Sequence, residues 1–260
     1  MLLGDALDMV LDAPLSDFAQ NGYARLGRVL APDAARRLGE RSDALMLGEI
    51  KYPGLFYQHD SPTGRYEDLV FGEGWVGPSL SYRKIEKLEL DPLFSSWIEN
   101  DLFARIARSV LGSHVTLYRA VLWNKAPESG MDLPWHQDDG AFWGIDRAPC
   151  LQIWTALDDA PSDAGCVEVV PRSHLRGLAS PLGGTVCTDQ LEVPESCADR
   201  VLLPVVAGEA LLIHNHVWHR SGKNHTRFAR RAIGISYLSG DTRCRRKRCA
   251  PREFRRLFGD

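Results

Sequence analysis

The stretch "LPWHQDDGAFWG" (residues 133–144) sets His136 and Asp138 two positions apart among large aromatic side chains. On a strand, residues i and i+2 point to the same face, so an imidazole and a carboxylate at this spacing can reach one point together. They are mixed N/O ligands, and a second histidine would complete the facial set that leaves positions open on Fe(II). The pair taken alone also fits a polar turn at the end of a core strand. A third ligand has to come from elsewhere, and "GEALLIHNHVWHRSGKN" offers His214, His216 and His219. Strand alternation sets His214 and His216 on one face and His219 on the other; apolar neighbours on both faces leave the choice open. Further on, "ARRAIGISY" begins a strand pattern at Arg230 and Arg231. A buried guanidinium is a rigid fork for a carboxylate, which suits a metal that needs a dicarboxylic acid as co-substrate. A solvated surface arginine is the other reading of these residues.

The elements that must position these groups divide the chain in two. "FAQNGYARLGRVLAPDAARRLGERSDALM" reads as a helix end, a strand at Tyr23–Leu30 and a second helix with Pro32 in its first turn. Residues 50–90 mix Gly, Pro and many aromatics with no clear period, the pattern of a functional loop, and Tyr52–Tyr82 is expected to fold over the site as a lid; simple cover for the outer surface is the competing reading. "PLFSSWIENDLFARIARSVLG" has helical spacing and a stop at Gly112. From about 114 to 240 come "VTLYRAVLWNK", "CLQIWTAL", "CVEVV", "RVLLPVV", "EALLIH" and "RAIGISYL", short segments rich in β-branched and aromatic residues between turn formers. Strands in succession, without alternating helices, argue for a sandwich or barrel. The tail "CRRKRCAPREFRRLF" is expected to end in a short helix and, despite its arginines, to be a solvated end and not a phosphate site. The expected fold is mainly β with flanking helices, as a single domain over 1–260.

Three blocks, "WHQDDG", "LQIWTALDDAPSDAGCVEVVPRSH" and "GEALLIHNHVWHRSGKNHTRFARRAIGISYL", closely resemble the phytanoyl-CoA dioxygenase family in order and spacing, over roughly residues 15 to 240. The resemblance implies a double-stranded β-helix (a cupin-like jelly roll) and an Fe(II)- and 2-oxoglutarate-dependent dioxygenase that consumes O2. By position, His136, Asp138 and His219 match the iron ligands, and Arg230 matches the arginine that pairs with the far carboxylate of 2-oxoglutarate. Ser221 and Trp154 fall where the family has cofactor-pocket residues. His214 and His216 are left as pocket or packing residues, His174 as structural, Lys125 to a salt bridge at the barrel rim, and Arg231 should point away from Arg230. Asp138 occupies the position that related halogenases leave for halide, so hydroxylation or a related oxidation of a small organic molecule is expected, with succinate and CO2 as co-products. Trp135, Phe142 and Trp143 are expected to form an apolar wall beside the ligands.

Composition narrows the remaining classes. With 260 residues, 44% of them hydrophobic, the chain can bury a substantial core, and a net charge of −3 draws it to neither nucleic acid nor membrane. The opening "MLLGDALDMVLDAPLSDF", with Asp5, Asp8 and Asp12, reads as an amphipathic helix and not a secretory signal. Cys150, Cys166, Cys187, Cys197, Cys244 and Cys249 show no CxxC pair; they suit reduced thiols in a cytoplasm, with Cys187–Cys197 and Cys244–Cys249 as the conceivable bridges. A non-redox jelly-roll metalloenzyme and a non-catalytic binding module are the alternatives, the first disfavoured by Arg230 and the second by the complete ligand set.

Overall fold

Residues from both halves of the chain meet in two facing antiparallel sheets. The computed structural model describes residues 10–72, 74–186, 199–246 and 251–259. Asp5 and Asp8 of the expected first helix, and Cys187, Cys197 and Cys249, lie outside them. In chain order the elements are α1 (Asp12–Asn21), β1 (Tyr23–Arg28), α2 (Pro32–Leu47), β2 (Phe56–His59) and β3 (Tyr82–Glu86). Then follow α3 (Pro92–Ile98), α4 (Asp101–Leu111), β4 (Val115–Lys125), β5 (Leu133–Gln137), β6 (Leu151–Ala156) and β7 (Val167–Val170). The chain ends with β8 (Gly184–Thr185), β9 (Val201–Leu203), β10 (Glu209–Ile213), β11 (Trp218–Ser221), β12 (Arg230–Ser239) and β13 (Arg255–Phe258).

The larger sheet runs β1-β10-β6-β12-β4-β3-β2, with β13 also on β4; the smaller runs β8-β5-β11-β7-β9. This is the jelly roll that the resemblance implied. Helices cover the outer face of the larger sheet, where Leu38, Trp97 and Phe103 pack in one core with Leu122, Ile153 and Ile235. A second core, with Trp154, Val169 and Leu211, fills part of the space between the sheets. Burial of such side chains contributes roughly 1.5–3 kcal/mol each, so this double layer holds the site rigidly.

Several local expectations needed correction. The helical pattern over residues 92–112 is two helices. Asn100 breaks it: its Nδ2 donates to Trp97 O at 2.5 Å, closing α3, while its Oδ1 accepts from Phe103 N at 2.9 Å as the cap of α4. Gly112 does end α4. The tail forms β13 and not a helix, because β3 pairs with β4 at 121–123 and leaves the edge at 115–117 open. Phe258 is thereby buried beside Tyr237. Within 52–82, Tyr57 and Tyr82 are buried in the core and Trp75 packs on it.

Candidate metal centre

β5 and β11 are neighbours in the smaller sheet, and their register sets His136 directly opposite His219. Direct cross-strand partners are the closest side-chain neighbours a sheet provides, and these two rings lie 4.0 Å apart. Asp138 stands just past the end of β5. Its N–H donates to Asn215 O at 2.8 Å, and Asn215 Nδ2 returns a bond to Asp138 O at 2.9 Å. Ligand-capable atoms of His136, Asp138 and His219 all fall within 4.8 Å of one another, the one such group of three among the described residues. The sheet register thus selects His219. Strand alternation does not apply to the other two, since His214–Val217 is a turn, closed by Val217 N donating to His214 O at 3.0 Å. His216 Nε2 pairs with Asp139 at 2.7 Å, and His214 packs between the rings of His174 and His216, as packing residues.

Hydrogen bonds prepare the three groups for a cation. His136 Nδ1 faces Pro134 O at 2.8 Å and His219 Nδ1 faces Val217 O at 2.9 Å. A carbonyl only accepts, so each Nδ1 carries the proton and each Nε2 offers a lone pair. Burial, then the nearby His219, pushes His136 down to about 3, keeping it neutral near pH 7. Burial disfavours the Asp138 carboxylate, yet Arg119 and the two histidines outweigh it and leave its pKa below the ordinary value. Asp138 Oδ1 accepts from Arg119 Nη2 at 3.1 Å, and Oδ2 from Gln152 Nε2 at 2.9 Å. Two imidazoles and one carboxylate fit an iron site with open positions.

The cavity between the sheets extends from this cluster to Arg230, with Ser221 and Trp154 in its lining. Arg230 is 3% exposed, its Nε has no hydrogen-bond partner, and its guanidinium carbon lies 5.7 Å from the Trp154 ring centre. Burial pulls it down to about 10, still charged at neutral pH. A buried donor without an acceptor costs about 1–3 kcal/mol, a cost that an anionic ligand would relieve. Arg231 points the other way, to Asp158 and Asp43. Two expectations fail here. Lys125 lines the cavity with Nζ donating to Met131 O at 2.6 Å, not to a rim carboxylate; burial, then Arg230, lowers it to about 7. Trp135, Phe142 and Trp143 form no wall of the cavity. Trp135 alternates away from His136 into a cluster with Trp218, Trp143 stacks on Tyr118, and Phe142 is exposed. Trp123 and Trp154 supply the aromatic wall instead. Arg119 and Gln152 escaped sequence reasoning, although a charged residue amid apolar "VTLYRAVLW" was a visible signal.

The family model for phytanoyl-CoA dioxygenase (PhyH) matches residues 18–232. The chain belongs to the phytanoyl-CoA dioxygenase family. Family membership makes it a 2-oxoglutarate-dependent oxygenase, with Fe(II), 2-oxoglutarate and O2 as its cofactors and co-substrates. Among relatives, Phytanoyl-CoA dioxygenase 1 of Oryza sativa subsp. japonica is 24% identical over 249 residues, covering 87% of this chain and 88% of its own length. Phytanoyl-CoA dioxygenase, peroxisomal, of Rattus norvegicus is 22% identical over 234 residues, covering 86% of this chain and 67% of that one. The same fold occurs in the α-ketoglutarate-dependent carbocyclase SnoK from nogalamycin biosynthesis (TM-score 0.72, 19% identity, covering 97% of this chain and 98% of that one). It also occurs in EctD from S. alaskensis, solved with 2-oxoglutarate and 5-hydroxyectoine (TM-score 0.69, 20% identity, covering 94% and 80%).

Proposed function

We propose that this phytanoyl-CoA dioxygenase family member oxidises a small organic molecule, by hydroxylation or a related reaction, with His136, Asp138 and His219 holding Fe(II) and Arg230 holding 2-oxoglutarate. The observation that carries this reading is the His-Asp-His cluster sharing one buried cavity with an arginine whose Nε lacks a partner. Fe(II) with 2-oxoglutarate and O2 supplies the oxidising power, and succinate and CO2 leave as co-products. The protein's part is placement. Arg230 orients the far carboxylate, Ser221 and Trp154 flank it, and the sheets keep bulk water from the reacting centre. Structural neighbours include an epimerase and a carbocyclase, so the outcome on substrate is set by what binds beside Asp138 and not by the fold.

The lid in this reading is the stretch Tyr52–Tyr82, held to the core by the buried Tyr57 and Tyr82. Asp60 within it and Arg83 just beyond it line the cavity, while Val70 and Phe71 expose apolar surface that substrate closure would cover. Protection of this segment from limited proteolysis by Fe(II), 2-oxoglutarate and substrate is expected, and unchanged cleavage would count against it. Cys150, Cys166 and Cys244 are free thiols, which supports a reducing, cytoplasmic setting, although some relatives are named as peroxisomal. No helix among the described residues is long and apolar enough to cross a membrane. The partner we infer is a small-molecule substrate and not a nucleic acid.

The decisive experiment is anaerobic addition of Fe(II) and 2-oxoglutarate. Wild type should show the weak visible charge-transfer band of the chelate; His219→Ala should lose it and His216→Ala should keep it. A band that survives His219→Ala but not His216→Ala would overturn the ligand assignment. No band in wild type would favour the non-redox metalloenzyme. Compounds that raise succinate release above the uncoupled background then identify the substrate class.

A further inference from the structure

Asp138 differs from the two histidines in having two ligand-capable atoms, and the structure treats them differently. Oδ2 faces the cluster, 3.6 Å from His219 Nε2, and accepts from Gln152 Nε2. Oδ1 is turned to Arg119. Both donors are themselves held. The Arg119 guanidinium lies 4.9 Å from the Trp143 ring centre, and Trp143 stacks on Tyr118 at 4.0 Å with 7° between their planes. Gln152 Oε1 accepts from Ser236 Oγ at 3.2 Å. Glu86, the other carboxylate whose charge acts on Arg119, is bound by Lys84 Nζ at 2.6 Å, and the hydrogen bond from Arg119 to a carboxylate goes to Asp138.

We propose that Arg119 is a positioning residue that holds Asp138 Oδ1 away from the metal, limits the carboxylate to one-oxygen ligation through Oδ2, and so preserves a position for the co-substrate. This rests on the reading of His136, Asp138 and His219 as Fe(II) ligands. Carboxylates bind metals through one oxygen or two, and nothing intrinsic to aspartate decides which. A six-coordinate ion with three single-atom protein ligands keeps three positions free, two for a chelating keto acid and one for O2. A chelating Asp138 would take one of the three. A charge-assisted bond to Oδ1 is a means of preventing that, and partners of metal ligands typically change affinity 10- to 100-fold when removed.

The test separates metal from co-substrate. Fe(II) is titrated anaerobically into the full-length protein by tryptophan fluorescence, then 2-oxoglutarate by the charge-transfer band. In Arg119→Met the freed Oδ1 can itself bind the ion and offset the lost hydrogen bond, so Fe(II) affinity should stay within about threefold of wild type while 2-oxoglutarate weakens about tenfold or more. Arg119→Gln, which restores a neutral donor, should recover most of that loss. A merely structural role would lower both affinities together. Unchanged 2-oxoglutarate affinity in Arg119→Met, or a parallel loss of both that Arg119→Gln fails to relieve, overturns the proposal. If Arg119→Met does not fold, Trp143→Leu, which removes the plate under the guanidinium, should weaken 2-oxoglutarate but not Fe(II), and no change there overturns it equally. Absence of the band in wild type sinks the functional reading itself; a wild-type band with unaltered variants sinks only the role of Arg119.

Discussion

Arg230 is a guanidinium removed from water and left with an unused Nε donor. Hydrogen bonds to charged groups contribute about 1.5–3 kcal/mol, so Arg230→Ala should weaken 2-oxoglutarate roughly 10- to 100-fold in an anaerobic titration. Arg230→Lys should recover only part of this, because a point charge does not reproduce the fork. Unaltered affinity in Arg230→Ala would place the co-substrate elsewhere. Residue type carried much of this site: His136, Asp138 and Arg230 were visible as candidates because each is an unusual polar group in an apolar run. Lys125 was equally visible, yet its partner was misjudged, since a lysine's neighbours are not encoded next to it.

At the scale of the element, β12 shows how a strand separates two adjacent arginines. Arg230 enters the cavity, while Arg231 leaves it to bind Asp158 through Nε and Nη2, each at 2.8 Å, and Asp43 through Nη1 at 2.7 Å. Asp43 belongs to α2, so Arg231 ties that helix to the larger sheet. Arg231→Gln should cost about 2–3 kcal/mol in urea denaturation, by leaving Asp158 short of donors, while the folded protein keeps its 2-oxoglutarate affinity. β8 presents the opposite case, an element whose packing supports the site. Gly183 has φ +74°, and a Cβ there would meet Asp139 O at 1.6 Å. Since β8 pairs with β5 at His136, Gly183→Ala should lower the melting temperature and Fe(II) affinity together. Loss of stability with undiminished Fe(II) binding would show that β8 is not needed to hold His136.

Across the whole molecule, burial keeps several imidazoles neutral. His136 and His214 are both pushed down to about 3, by burial first and by neighbouring histidines second. In the unfolded chain these groups take a proton near pH 6.5, whereas in the folded protein they do so only near 3. The unfolded state therefore binds more protons between these values, and stability rises with pH across that window. It is fully present above about pH 6.5 and is lost on acidification, at about 1 kcal/mol per pH unit for each group. The melting temperature of the metal-free protein should fall between pH 7 and pH 5, with a shallower slope in His214→Gln; equal slopes would show that His214 is solvated.

Local pattern determined a good deal by itself. The succession of β-branched segments announced a sandwich, and the quoted blocks announced the family. The His-x-Asp pair and an arginine opening a late strand were legible as candidates, and it was the family resemblance that gave them roles. Residue pattern left three histidines open and the family resemblance pointed to His219; the physical reason lies in the register of β11 against β5, some 80 residues apart in the chain, which only the tertiary structure displays. Tertiary structure also decided that Trp123 joins the expected Trp154 in lining the cavity while Trp135 and Trp143 do not, that the tail adds a strand to β4, and that Arg119 meets Asp138. Periodicity records how a segment divides its faces between core and surroundings. It carries no record of which distant strand will lie alongside, and that pairing settles every contact that the site depends on.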